Sequence, residues 1–95
     1  VDQVVLPVET LLMVAHERER QHRLKAEGRF KYTPSDPEMT DWQRLGAIIE
    51  EVGEVARNLM ARDGLVTDGD VGDDALAKEL SQVAALSVAW MERLC

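Results

Sequence analysis

Cysteine is almost absent from these 95 residues. The one example, Cys95, is the last residue, so no disulfide can close within the chain. Stability must come from packing or from partners, and such a chain suits a reducing, cytoplasmic setting. Positive charge is scarce as well. Eleven Lys and Arg face eighteen Asp and Glu, a net charge of −7, which argues against nucleic-acid polymers and anionic membranes as partners. A nucleotide stays open, because a bound divalent cation supplies the missing positive charge. No apolar run reaches the roughly 20 residues of a membrane span. Val1 to Val8 is too short for a secretory signal and lacks its basic flank. Aromatic residues make up only 4% of the chain. Such a composition implies one small domain over residues 1–95 with a modest core, which helical chains of this size often complete by oligomerising.

What is present is helical. Pro7 suits a first helical turn, and Val8, Leu11, Leu12 and Ala15 recur at helical spacing. From His16 to Lys25 almost every residue is charged or polar. We read this stretch as a solvated helical end running past the core; a functional reading would have Arg18, Arg20, Arg23 or Lys25 reach a phosphate. Gly28, Pro34 and Pro37 break the helix between Glu27 and Met39. Thr40-Asp41-Trp42-Gln43 reads as a capping box, with Ser35 and Glu38 as a competing earlier start. The second helix then runs to about Arg62 behind a broad apolar stripe: Leu45, Ile48, Ile49, Val52, Val55, Ala56, Leu59 and Met60. Gly53 inside it either permits a close approach or is simply tolerated, at about 1 kcal/mol of propensity relative to Ala.

Asp63 to Asp74 forms the second break. Asp68, Asp70 and Glu79 fall at calcium-loop positions, but Gly72 and Asp73 stand where that loop needs a ligand and a glycine. A solvated acidic loop is the better account, with Asp73 or Asp74 capping the last helix. That helix runs from about Asp74 to Leu94, and eight of the nine residues from Val83 to Met91 are apolar. A helix apolar on every side must be covered on every side. This predicts a homodimer or homotetramer with the last helix at its centre.

The acidic residues carry the chemistry. Glu50, Glu51 and Glu54 fall within about a 100° arc of the second helix. Glu79 and Gln82, three apart, share a face of the third. Acidic residues on an amphipathic helix are usually a solvated face. Here, however, Glu79 lies among Leu76, Leu80 and Val83, and Gln82 directly precedes the apolar run. Polar groups entering a buried helix need partners. If the two helices pair antiparallel, four or five oxygen ligands converge, a donor set for Mg²⁺ or Mn²⁺ rather than zinc. A di-iron bundle would need Glu-x-x-His on two helices, and the single such pair, Glu19 and His22, lies in the polar extension. No Ser or Cys has an identifiable His partner, and neither a Walker loop nor a dinucleotide fingerprint is present.

Glu-Glu-Val-Gly-Glu at 50 to 54, followed by Glu79-Leu80-Ser81-Gln82, resembles the MazG-like all-α NTP pyrophosphatases. Their signature is Glu-x-x-Glu, a spacer, then Glu-x-x-Asp on the next helix. Ile48-Ile49, Val55-Ala56-Arg57, Val83-Ala84-Ala85 and Ala89-Trp90 match the surroundings, so the likeness covers about residues 40 to 94. It implies a three-helix bundle completed by oligomerisation and Mg²⁺-dependent hydrolysis of a nucleoside triphosphate to monophosphate and pyrophosphate, a reaction that suits nucleotide-pool cleaning. It implies Glu51, Glu54 and Glu79 as metal ligands, with Glu50 as a further ligand or the base that orients water. Gln82 stands where the family has Asp. A Gln carbonyl still ligates a hard cation but brings no charge, so the chain is either an enzyme with a neutral fourth ligand or a non-catalytic oligomerisation or nucleotide-sensing module. For the substrate, Trp42 is a candidate stacking platform, against a reading in which it packs on the core. Trp90 reads as core. Lys31, Arg57 and Lys78 are candidate phosphate contacts.

Overall fold

Helices account for all the regular structure of the described residues, 7–66 and 71–95, of the computed structural model. They are α1 (Val8–Ala26), α2 (Asp41–Arg62) and α3 (Asp73–Leu94). Asp68 and Asp70 of the calcium-loop reading lie outside the described residues, as do Val1 to Leu6. No helix among the described residues is long and apolar enough to cross a membrane.

Local chemistry sets the helix ends. Thr40 Oγ1 accepts from the Gln43 N–H at 3.1 Å, and Gln43 Oε1 accepts from the Thr40 N–H at 2.8 Å, which closes the capping box. The competing start at Ser35 is not used, and the Ser35 hydroxyl pairs instead with that of Thr33. Helices α1 and α2 stop in the same way. Gly28 and Gly64 each take φ +78° just past the helix, a conformation open to glycine. The chain then folds back, so that Arg29 N–H reaches the Leu24 carbonyl and Leu65 N–H the Met60 carbonyl. Helix α3 begins one residue before the expected Asp74, and its N-cap is Gly72 with no side-chain cap. Asp73 pairs instead with Arg62 at 3.0 Å.

Helix α3 is the hub. Both α1 and α2 pack on it, whereas no Cα of α1 comes within 8 Å of one in α2. Small residues permit this: Ala85 and Ala89 are fully buried, and with Leu24 and Pro34 they are the buried apolar side chains among the described residues. The rest of the apolar surface stays open. Val88 and Met91 are exposed on α3, Ile49, Val52 and Leu59 on α2, and Val8, Leu11, Leu12 and Met13 on α1. The apolar girdle of Val83 to Met91 is therefore only partly covered by the chain's own helices. Trp90 is half-buried, with its indole N–H shut away from any acceptor. Gly53 is not a point of close approach within the chain, since an added Cβ would meet nothing within 4 Å.

One expectation is reversed. The polar end of α1 is not a solvated extension. Arg18 and Gln21 are buried there with Leu24, while the apolar first half is open. The reason is periodicity: Val14, Arg18, Gln21 and Leu24 follow one another at helical spacing, so one face carries both halves. Arg18 meets its desolvation with five acceptor contacts. It donates to both Glu92 carboxylate oxygens (2.6 and 3.2 Å), to Gln21 Oε1 (2.7 Å) and to Ser35 Oγ (3.3 Å), and its Nη2 lies 3.0 Å from His22 Nε2. The guanidinium in turn holds the Glu92 carboxyl below the usual carboxylate range. A second buried guanidinium, Arg44, donates to the carbonyls of Pro34 (2.7 Å) and Asp36 (2.6 Å) and to Asp41 (2.8 Å). Lys25 and the Thr33 N–H both donate to Asp36, keeping its carboxyl low as well. These bonds pin the α1–α2 loop between two helices with no Cα atoms within 8 Å of each other.

Candidate functional site

The pinned loop roofs a cleft whose floor is α3. Leu86 lies at the bottom, Gln21 stands on the α1 side and Ala47, Glu50 and Glu51 on the α2 side, with Phe30, Tyr32, Thr33 and Pro34 contributed by the loop. The cavity measures about 260 Å³. A smaller one of about 130 Å³ adjoins it through the shared residues Gln21, Phe30, Glu51 and Leu86, and adds Glu17, Arg20 and Gln82. Arg20 is held there by Glu17 at 2.7 Å.

The acidic residues meet at this junction. The Gln82 carboxamide has one terminal atom 2.9 Å from Glu79 Oε2 and 3.0 Å from Glu51 Oε2. With two carboxylates as neighbours that atom must be the nitrogen, donating to both. Burial raises the Glu51 carboxyl above its ordinary range. The charge of Glu79 and a hydrogen bond to it add to the rise, as do the charges of Glu54 and Glu50. The site is short of positive charge, and the Gln82 amide is the donor that meets both carboxylates.

Three of the four expected ligands are thus brought together: Glu51, Glu79 and Gln82. Glu54 is exposed one turn further along α2 and acts on Glu51 through its charge. Glu50 opens into the larger cavity. Among the described residues, no three His, Cys, Asp or Glu side chains stand close enough together to hold a metal ion. The converging set is two carboxylates and a carboxamide. Turning the Gln82 amide by 180° would replace its nitrogen with an oxygen, so that three oxygens faced one point. That is a donor set suited to a hard divalent cation, and the raised Glu51 marks a place where positive charge is missing. On donor chemistry the residues fit Mg²⁺.

The substrate candidates fare unevenly. Trp42 is 82% exposed, so it does not pack on the core, and it lines neither cavity. Two residues after the N-cap, its side chain points away from α3. Lys31 stacks its ammonium 5.3 Å from the ring centroid of Tyr32 at the cleft. Arg57 and Lys78 are exposed on α2 and α3 and line neither cavity. The sequence reading missed Gln21, Phe30 and Tyr32 as cleft residues, together with the packing role of Arg18. The signal for the first and last of these was the continuation of the Val14 face through polar residues. No local signal marks Phe30 or Tyr32, because a loop has no period. Comparison with protein families, with curated proteins and with solved structures finds no match to this chain.

Proposed function

We propose that the chain is a MazG-like, Mg²⁺-dependent nucleoside triphosphate pyrophosphohydrolase acting as a homodimer or homotetramer. The observation that carries this reading is the meeting of Glu51, Glu79 and Gln82 at the junction of two cavities, one of them walled by aromatic side chains. A triphosphate nucleotide has the matching parts, an anionic end that needs cations and a flat heterocycle that needs an apolar slot. Glu51, Glu79 and the Gln82 carbonyl would hold the ion, with Glu54 reaching in from the next turn. Bound Mg²⁺ supplies positive charge to phosphate oxygens and acidifies attacking water. Glu50, which opens into the cavity, orients that water and takes its proton. Arg20, which lines the smaller cavity, is a cationic side chain for a phosphate oxygen.

The open apolar surface supports the oligomer. Val8, Leu11, Ile49, Val52, Leu80 and Met91 are all exposed. Thr10, Met13, Val14, Ala77, Leu80 and Ala84 line a greasy groove between α1 and α3, which a second copy of α3 would fill. Leu80→Glu, at a half-exposed position, should dissociate the assembly without unfolding the helix. Sedimentation showing a stable wild-type monomer at micromolar concentration would remove this part of the proposal.

The enzyme test is a screen of common and modified NTPs with pyrophosphate release as readout, with and without Mg²⁺. Release abolished by Glu51→Gln and Glu79→Gln is the expected result. Because the neutral Gln82 leaves only two acids in the cluster, a non-catalytic nucleotide-sensing module is the second reading. It gives Mg²⁺-dependent nucleotide binding with no pyrophosphate released.

A further inference from the structure

Gln21 is 3% exposed and lines both cavities. Its Oε1 accepts from Arg18 Nη1 at 2.7 Å. A guanidinium has donors and no acceptor, so this contact settles which way the carboxamide faces, with oxygen toward Arg18 and amino group turned away. Arg18 cannot easily give way, since Glu92, Ser35 and His22 hold its other nitrogens. The Gln21 amino group donates to no acceptor among the described residues, yet it is not sealed from solvent. It is a donor of fixed direction in a buried side chain on the wall of a slot lined by Phe30, Tyr32, Pro34 and Leu86.

We propose that Gln21, oriented by Arg18, is the specificity-determining residue of the larger cavity and selects heterocycles that present a carbonyl oxygen there over those that present an amino group. The inference rests on the nucleotide reading above and names the base class it leaves open. The cavity, about 260 Å³, falls below the drug-sized range of about 300–1,000 Å³ and suits a single flat ring system. Its rings offer stacking to any base, so stacking alone does not discriminate. The amide does: its N–H groups pair with an oxo group, as in uracil or hypoxanthine, and oppose the N–H donors of the exocyclic amine of cytosine or adenine. A site whose polar group is left unpaired by the wrong ligand discriminates far better than one that only stacks.

The test uses base pairs that differ in this one group. Calorimetric titration with the α,β-imido triphosphates of uridine, cytidine, inosine and adenosine, in millimolar Mg²⁺, should give at least ten-fold tighter binding for the oxo member of each pair. In Gln21→Leu the preference should fall to near unity. In Gln21→Glu one oxygen still faces Arg18 and the other faces the cavity as an acceptor, so the preference should reverse. In the wild type, the side-chain amide resonances of Gln21 should shift more with the oxo ligands, a measurement that holds even where both variants lose helicity. No binding of any nucleotide would remove the nucleotide reading and this inference together. Binding without oxo preference, preference that survives in a helical Gln21→Leu, or unmoved Gln21 resonances would overturn this inference alone.

Discussion

Two clusters of charged residues flank α3, and they resolve burial in opposite ways. Around Arg18, a buried cation meets Glu92, Gln21 and Ser35, and the carboxyl of Glu92 is held low. Around Gln82, two carboxylates meet an amide with no cation, and the carboxyl of Glu51 is held high. The first cluster is complete as it stands and ties α1 and the loop to the C-terminal end of α3. The second has negative charge left over, which the proposed Mg²⁺ would neutralise.

Removing the cation from the first cluster should have the largest effect. Arg18→Ala strips Glu92, Gln21 and Ser35 of their shared donor and should cost about 3 kcal/mol in urea unfolding, at the low end for a buried pair because Glu92 is half exposed. Loss below about 0.5 kcal/mol would show that the knot is ornamental. Supplying a cation to the second cluster should come next. Mg²⁺ at a hundred times its dissociation constant should stabilise the wild type by about 2.7 kcal/mol, and Glu51→Gln should lose most of that gain while melting higher than the wild type without metal. Equal metal responses in the two proteins would mean that the acids form a solvated face. Gln82→Asp restores a third acid. With a metal in place it should tighten Mg²⁺ roughly ten-fold, about 1.4 kcal/mol, and destabilise the protein in chelator; a loss in both conditions would favour the scaffold reading.

The smallest effect is on pH dependence, and its sign differs between the clusters. Glu92 and Asp36 have lowered carboxyls, so their stabilisation is present above the ordinary values of 4.5 and 3.8 and drains away as pH falls through the lowered ones. Glu51 is raised, so its contribution is present below 4.5 and is lost as pH rises through the raised value. The metal-free advantage of Glu51→Gln should therefore vanish in acid and grow toward neutrality, while Arg18→Ala should flatten the acid limb. Melting curves from pH 3 to 8 for both variants check the pair of signs.

Much of the helical frame was legible because its signals are local. The Thr40–Gln43 box and the glycines after Glu27 and Asp63 act within a few residues of themselves. Glu51, Glu79 and Gln82 were legible as a group because each sits at a fixed angle on its helix. The second half of α1 was not, since reading apolar residues alone hides a face that continues through Arg18 and Gln21. Burial of those two depends on Glu92, 74 positions away from Arg18, and no window along the chain contains both. Trp42 shows the converse: an aromatic next to a well-formed cap looks like core, yet helix phase turns it outward.

Because the backbones of α1 and α2 each pack on α3 and not on each other, the chain should behave as two half-domains sharing one strut and joined by the pinned loop. Opening of α1 should leave the α2–α3 backbone packing in place, and the reverse should also hold. Amide hydrogen exchange should therefore be slowest along Ala85 to Ala89 and faster, at independent rates, in the two outer helices. The cleft lies between those outer helices. A ligand that spans it would add to the pinned loop a second link between them, and its arrival should make the two openings more cooperative.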